Sequence, residues 1–189
     1  VALYETAGSI ISDVAVELGL GAVTDAYAAT DANVVQLRAL LKSTGRALVK
    51  RFAWLQATKE YTFTTTSGQD TYPCPADYLA MVSGSGWNRT SRLPLEPTGP
   101  QAWQALKASE AGQVYTVFFR PGDTSLRLHP SSPAAGDTIA FEYRSLYWAR
   151  AAADTSPSTD APSANTDVVC LDGELVKKAL KLAFLRAKG

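Results

Sequence analysis

Leu3, Ala7, Ile10, Val14 and Leu18 recur at steps of three and four, which lines one face of a helix. Gly19 and Gly21 follow directly, where a helix ends in a left-handed residue. Gly8 lies inside this helix and costs it about 1 kcal/mol relative to Ala. Thr30 or Asp31 can then cap a longer helix. Val34, Leu37, Leu41, Leu48, Phe52 and Leu55 continue the same spacing to about Trp54, with Val35, Leu40, Ala47 and Val49 widening the stripe. A stripe this broad implies more than one neighbour, and two helices with a short connection pack antiparallel.

The period then drops to two. Tyr61, Phe63 and Thr65 alternate with Glu60, Thr62 and Thr64; Ser67, Gly68, Gln69 and Asp70 read as a turn, and the chain returns through Thr71 to Cys74. This pattern predicts a β-hairpin, with Pro73 confining the returning strand to an edge. Trp87 and the Leu93–Pro94–Leu95 stretch read as short strands, and residues 100–108 as a short helix started by Pro100. A β-meander is predicted from residues 114–119, from Leu126 and Leu128, and from Ile139, Phe141 and Tyr143, with turns at Asp123 and Asp137.

Residues 150–166 contain no aromatic or branched aliphatic side chain. Such a stretch buries little apolar surface and reads as an extended arm or linker. The last segment is helical, with Asp172 as N-cap and Glu174 in the first turn. It is apolar around most of its circumference, with Lys177, Lys178, Lys181, Arg186 and Lys188 on the remainder. The expected fold is α+β. Residues 1–56 and 167–189 form a helical bundle, residues 57–149 an antiparallel β-rich domain (hairpin plus meander), and residues 150–166 the linker. The helical pattern is unfinished at Gly189.

Composition narrows the function. The 18 Lys and Arg balance 18 Asp and Glu, so the basic excess that drives nucleic-acid coating is missing. Cys74 and Cys170 stand outside any metal-binding spacing and read as reduced, semi-buried thiols. No signal-peptide pattern opens the sequence, and no apolar run approaches the roughly 20 residues that span a bilayer; no membrane role is expected.

Chemistry is sparse. The single histidine, His129, lies on the polar side of a predicted strand and reads as a surface residue. No nucleophile elbow, zinc motif or phosphate loop accompanies it. Neither a metal nor a cofactor is expected, and no catalytic residue is assigned. Glu60, Asp70, Asp77, Glu96 and Glu142 read as solvated carboxylates, although a cell-wall hydrolase would draw on such a pair. Trp87 or Trp103 would serve a carbohydrate-binding β-module, but aromatics at such positions more often fill cores or interfaces. The nearly all-round apolar last helix reads best as a docking helix.

The order of these parts resembles a known layout. A helical pair ends in V-A-V-E-L-G-L; a long helix runs into R-F-A-W-L and then Y-T-F-T-T-T-S-G-Q-D-T-Y. P-A-D-Y-L-A-M-V, a strand I-A-F-E-Y-R-S and L-D-G-E-L-V-K-K-A-L-K-L-A-F-L-R-A-K-G complete it. The chain is similar to the head-to-tail adaptor, or head-completion, proteins of short-tailed bacteriophages (podoviruses). The resemblance implies a virion protein at the head-tail junction, made in the host bacterial cytoplasm. It would form a ring of about twelve copies matching the portal, joined to a tail nozzle, with DNA passing through the channel without sequence-specific binding. It further implies that Leu175, Lys178, Leu182, Leu185 and Arg186 meet the portal. Tyr61, Phe63, Gln69, Tyr72, Asp123 and Asp137 would meet neighbouring subunits or the nozzle.

Overall fold

The structure, a computed structural model, describes residues 4–108, 117–122, 124–130 and 135–189. In chain order the elements are β1 (Glu5–Thr6), α1 (Ala7–Glu17), α2 (Ala32–Arg51), a 3-10 turn (Leu55–Ala57), β2 (Thr58–Thr64), β3 (Thr71–Pro73), β4 (Tyr78–Met81), β5 (Trp87–Asn88) and β6 (Leu93–Pro94). Then come β7 (Glu96–Pro97), α3 (Pro100–Ala108), β8 (Phe118–Pro121), β9 (Ser125–His129), β10 (Thr138–Ser145), β11 (Ala149–Arg150), β12 (Val168–Val169) and α4 (Gly173–Lys188). The fold is α+β and divides into two compact units, Val1–Thr58 with Ser145–Gly189, and Lys59–Arg144.

In the first unit the helix starts follow from capping. Asp31 accepts hydrogen bonds from the Asn33 and Val34 N–H groups, and Asp172 accepts one from Leu175 N–H at 2.7 Å. Gly19 and Gly21, with φ of 74° and 81°, follow α1 in the left-handed conformation. Ile10, Ile11 and Val14 of α1, Leu37, Leu41 and Leu48 of α2, and Val176, Leu180 and Phe184 of α4 bury into one cluster with Trp148. Val168 and Val169, grouped with the last helix on sequence, form instead the middle strand of a small sheet ordered β1-β12-β11. Glu5 pairs with Val169 on one side, and Arg150 with Val168 on the other. Neighbouring β-branched residues suit that central position.

The segment 150–166, expected to extend as an arm, lies within this unit. Ser158 and Thr159 both donate backbone N–H groups to the Ala149 carbonyl at 2.9 Å. The Asp167 carboxylate accepts from Ser163 N–H at 2.6 Å and Ala164 N–H at 3.0 Å. Asn165 accepts from Ala26 N–H at 3.0 Å through its side chain, and from Gly8 N–H at 3.0 Å through its carbonyl. Its side-chain amide also donates to Asp25. Short polar side chains can satisfy nearby backbone directly, and here such bonds do the anchoring that apolar burial does elsewhere. Gly8 has a packing reason as well, since a β-carbon there would stand 3.0 Å from Asn165 Cβ.

The second unit holds two sheets. One is ordered β2-β10-β5-β6, with β4 also pairing β10; the other is β3-β9-β8-β7. Ile139, Phe141 and Tyr143 from the first, and Tyr72, Phe119, Leu126 and Leu128 from the second, share one core. The predicted hairpin is therefore not a hairpin: β2 and β3 belong to different sheets. Thr65 explains the parting. It is buried, its N–H donates to the Asp137 carbonyl at 2.9 Å, and its hydroxyl accepts from Asp137 N–H at 3.0 Å. The end of β2 is thus fixed to the start of β10. The intervening turn is closed by the Tyr72 hydroxyl, which accepts from Thr66 N–H at 2.9 Å and donates to the Gln69 carbonyl at 3.0 Å.

The predicted meander also divides. β8 and β9 pair antiparallel with Phe119 opposite Leu128, but β10 joins the other sheet. Alternation identified these strands without specifying their partners, because each has an apolar face suited to either layer. Residues 114–116 of the first predicted strand lie outside the described residues. Asp77, expected in solvent, is buried: Lys59 Nζ stands 2.7 Å from its Oδ2 and the Tyr143 hydroxyl donates to Oδ1 at 2.9 Å. His129 is half-buried, its ring 6.1 Å from that of Trp103.

Candidate docking surface

α4 has two faces of different chemistry. Gly173, Val176, Leu180 and Phe184 point into the first unit's core. Electrostatics fixes the rest of that side. Lys177 Nζ lies 2.8 Å from both Glu5 Oε2 and Asp13 Oδ2, and Lys181 Nζ lies 2.8 Å from Glu17 Oε2. Desolvation opposes charge on Lys177, but the hydrogen bonds to Asp13 and Glu5 outweigh it and hold its pKa above the ordinary lysine value. Glu5 in turn lies against the first turn of α4, where a β-carbon on Gly173 would come within 2.7 Å of its Oε1. A carboxylate there also meets the positive end of the helix dipole.

The opposite face is bare. Leu175, Leu182 and Leu185 are 36%, 49% and 51% exposed, and Lys178 and Arg186 beside them are exposed too. Leu175 and Leu182 are one heptad apart, as are Lys178 and Leu185. This spacing keeps side chains along one seam of a helix and suits packing against a second helix. All five residues expected from sequence to contact a partner through α4 therefore share exposure on one helix. Leu171, just before it, is buried.

The other expected contact residues have mixed positions. Gln69 is exposed in the turn after β2, where Gly68 has a φ of 79°. Tyr72 is 4% exposed and stacks on Phe63 with ring centroids 4.5 Å apart. The half-buried Tyr61 ring packs edge-on to Phe141 at 5.6 Å. These rings serve the core of the second unit. Asp137 accepts from the Asn88 side-chain amide at 2.8 Å, and Asp123 lies outside the described residues.

The remaining expectations about chemistry are also located. Trp103 is 2% exposed and offers no platform to a ligand, whereas Trp87 is 44% exposed. Cys74 and Cys170 are both free thiols, and burial pushes the pKa of each upward. No cluster of His, Cys, Asp or Glu able to hold a metal occurs among the described residues, and no helix among them is long and apolar enough to cross a membrane. Lys177 as a tether and Asp77 as a buried acceptor were missed on sequence. Their spacing along the chain carries no sign of partners so distant.

A helix packed on one side and bare along a heptad seam on the other describes a subunit built for contact with another polypeptide. The sequence matches the family model of the SU10 adaptor protein over residues 5–188, and the chain belongs to that family. It is thus a phage adaptor protein, a structural component that works with other head or tail proteins in the virion. No curated protein matches the chain.

Proposed function

We propose that this chain is a head-to-tail adaptor subunit of a short-tailed phage. About twelve copies would form a ring beneath the portal, join it to the tail nozzle and surround the DNA channel. The helices of the first unit act together as the portal-docking bundle, with Leu175, Lys178, Leu182, Leu185 and Arg186 as the contact row. The turn carrying the exposed Gln69 is assigned to neighbouring subunits or the nozzle. DNA passes through without being read, in keeping with the balance of 18 basic and 18 acidic residues.

The observation that carries this reading is the exposed leucine row on a helix whose other side is already satisfied by its own core. Apolar area of that kind is stabilised when a partner removes it from water. The test is reconstitution of the purified chain with the portal of its own phage, read by cryo-electron microscopy and sedimentation. The expected result is a ring on the portal that is lost when Leu182 and Leu185 are both changed to Glu. Free subunits beside bare portals, or unchanged assembly by the double variant, would overturn it.

A further inference from the structure

The second unit carries a groove unrelated to α4. It has a volume of about 360 Å³ and lies over β2, β5 and β10, lined by Glu60, Ser85, Trp87, Arg89, Ala140 and Glu142, with Phe141 beneath. Trp87 is the exposed one of the four tryptophans; Trp103 and Trp148 are buried and Trp54 is half-buried. The ladder places Trp87 opposite Ala140 on one side and Pro94 on the other. Ala140 is buried, and Trp87 keeps nearly half of its surface open to solvent on the groove side. Polar groups line the same groove. Arg89 Nη2 is 2.7 Å from Glu60 Oε2. Glu142 is exposed, and its backbone is fixed on both sides: its carbonyl accepts from Val82 N–H at 2.8 Å, and its N–H donates to Ser85 Oγ at 3.0 Å.

We infer that this groove binds a neutral pyranose saccharide of one or two units. A pyranose presents a C–H face that packs on an aromatic plane and a rim of hydroxyls that need both donors and acceptors. Trp87 offers the plane, the Glu60 and Glu142 carboxylates offer acceptors, and the Arg89 guanidinium offers donors. The volume lies in the range of small-ligand sites, where an apolar floor is met by a few convergent polar groups. Two carboxylates against one guanidinium leave a negative balance, which disfavours phosphates and acidic sugars. The same charges make a poor centre for a protein contact, since interface cores are depleted in Glu. None of these residues belongs to the proposed portal face.

The test uses the full chain and follows the Trp87 indole N–H signal by NMR, assigned by its loss in Trp87→Phe. Maltose, lactose, mannobiose and chitobiose are titrated to millimolar concentration, with glucuronic acid as the acidic control. At least one disaccharide is expected to move the signal saturably while glucuronic acid does not. Saturation transfer to that sugar should vanish in Trp87→Ala, survive weakened in Trp87→Phe, and fall several-fold in Glu142→Gln, which leaves the fold intact. The inference fails if none of the four moves the signal, or if binding is unchanged in both Trp87→Ala and Glu142→Gln. It also fails if no sugar binds and Trp87→Ala instead breaks up an assembly seen by sedimentation, because the face is then a protein contact.

Discussion

Gly45, in the middle of α2, lies so close to Trp148 that a β-carbon there would stand 2.3 Å from Cζ2 of the indole. The side chain of Trp148 is wholly buried and has no room to move aside. Alanine at this position gains about 1 kcal/mol of helix propensity and loses more than that to overpacking. Overpacking typically costs about 1–3 kcal/mol, so Gly45→Ala is expected to destabilise the protein by a net of up to about 2 kcal/mol. Urea unfolding at neutral pH measures it. A variant as stable as the parent would mean that the indole does not lie on Gly45.

The two faces of α4 differ sharply in what they contribute to stability. Leu180 is fully buried and Leu182 is 49% exposed. Leu180→Ala should cost about 2–5 kcal/mol, whereas Leu182→Ala should stay within about 0.5 kcal/mol. Comparable losses at both positions in chemical denaturation would contradict the orientation of the helix.

Lys177 ties α4 to β1 and α1 through Glu5 and Asp13. Its pKa is higher folded than unfolded, so its contribution is complete below the ordinary value of 10.5 and is lost as pH rises through the folded value. Lys177→Met is expected to lower the thermal midpoint at neutral pH. The gap between variant and parent should hold to about pH 10 and narrow only above it. A gap that closes already near neutrality would dissociate Lys177 from this role.

Asp77 accepts from both Lys59 and the Tyr143 hydroxyl in a buried setting. Asp77→Ala removes two bonds to an ionised carboxylate together, for an expected loss of about 2–4 kcal/mol. Tyr143→Phe removes the hydroxyl's bond and keeps the Lys59 pair, and should cost less, about 1.5 kcal/mol. If the two variants unfold at the same denaturant concentration, the Lys59 interaction adds nothing.

Much of this architecture was legible in the chain. Periodicity placed the helices, and Asp31 and Asp172 marked where two of them begin, because capping is a local interaction. The exposed row on α4 was legible for the same reason: more apolar residues than one core can cover leave some outside. What escaped were facts set by distant partners. Tyr61 and Tyr72 read as one hairpin, yet the Thr65–Asp137 bonds send their strands to separate sheets. The segment 150–166 looked too polar to settle, but Asn165 and Asp167 anchor it through backbone bonds that no hydrophobicity pattern registers. Gly45 carries no sign in the sequence of its reason, which is the distant Trp148. The Trp87 groove was half visible: the residue was noted, but Glu60, Arg89 and Glu142 converge on it only through strand pairing.

The first unit draws its core from stretches on either side of Lys59–Arg144, and this sets an order of events during synthesis. The inserted unit is contiguous and can close as soon as it leaves the ribosome. Ile10, Leu37 and Leu41 must wait for Val176, Leu180 and Phe184 to emerge, since domains fold as units when their parts are available. Until then α1 and α2 are a half-covered surface open to chaperones or to wrong neighbours. A nascent chain stalled before α4 should therefore resist protease within β2, β9 and β10 while its leading helices are cut.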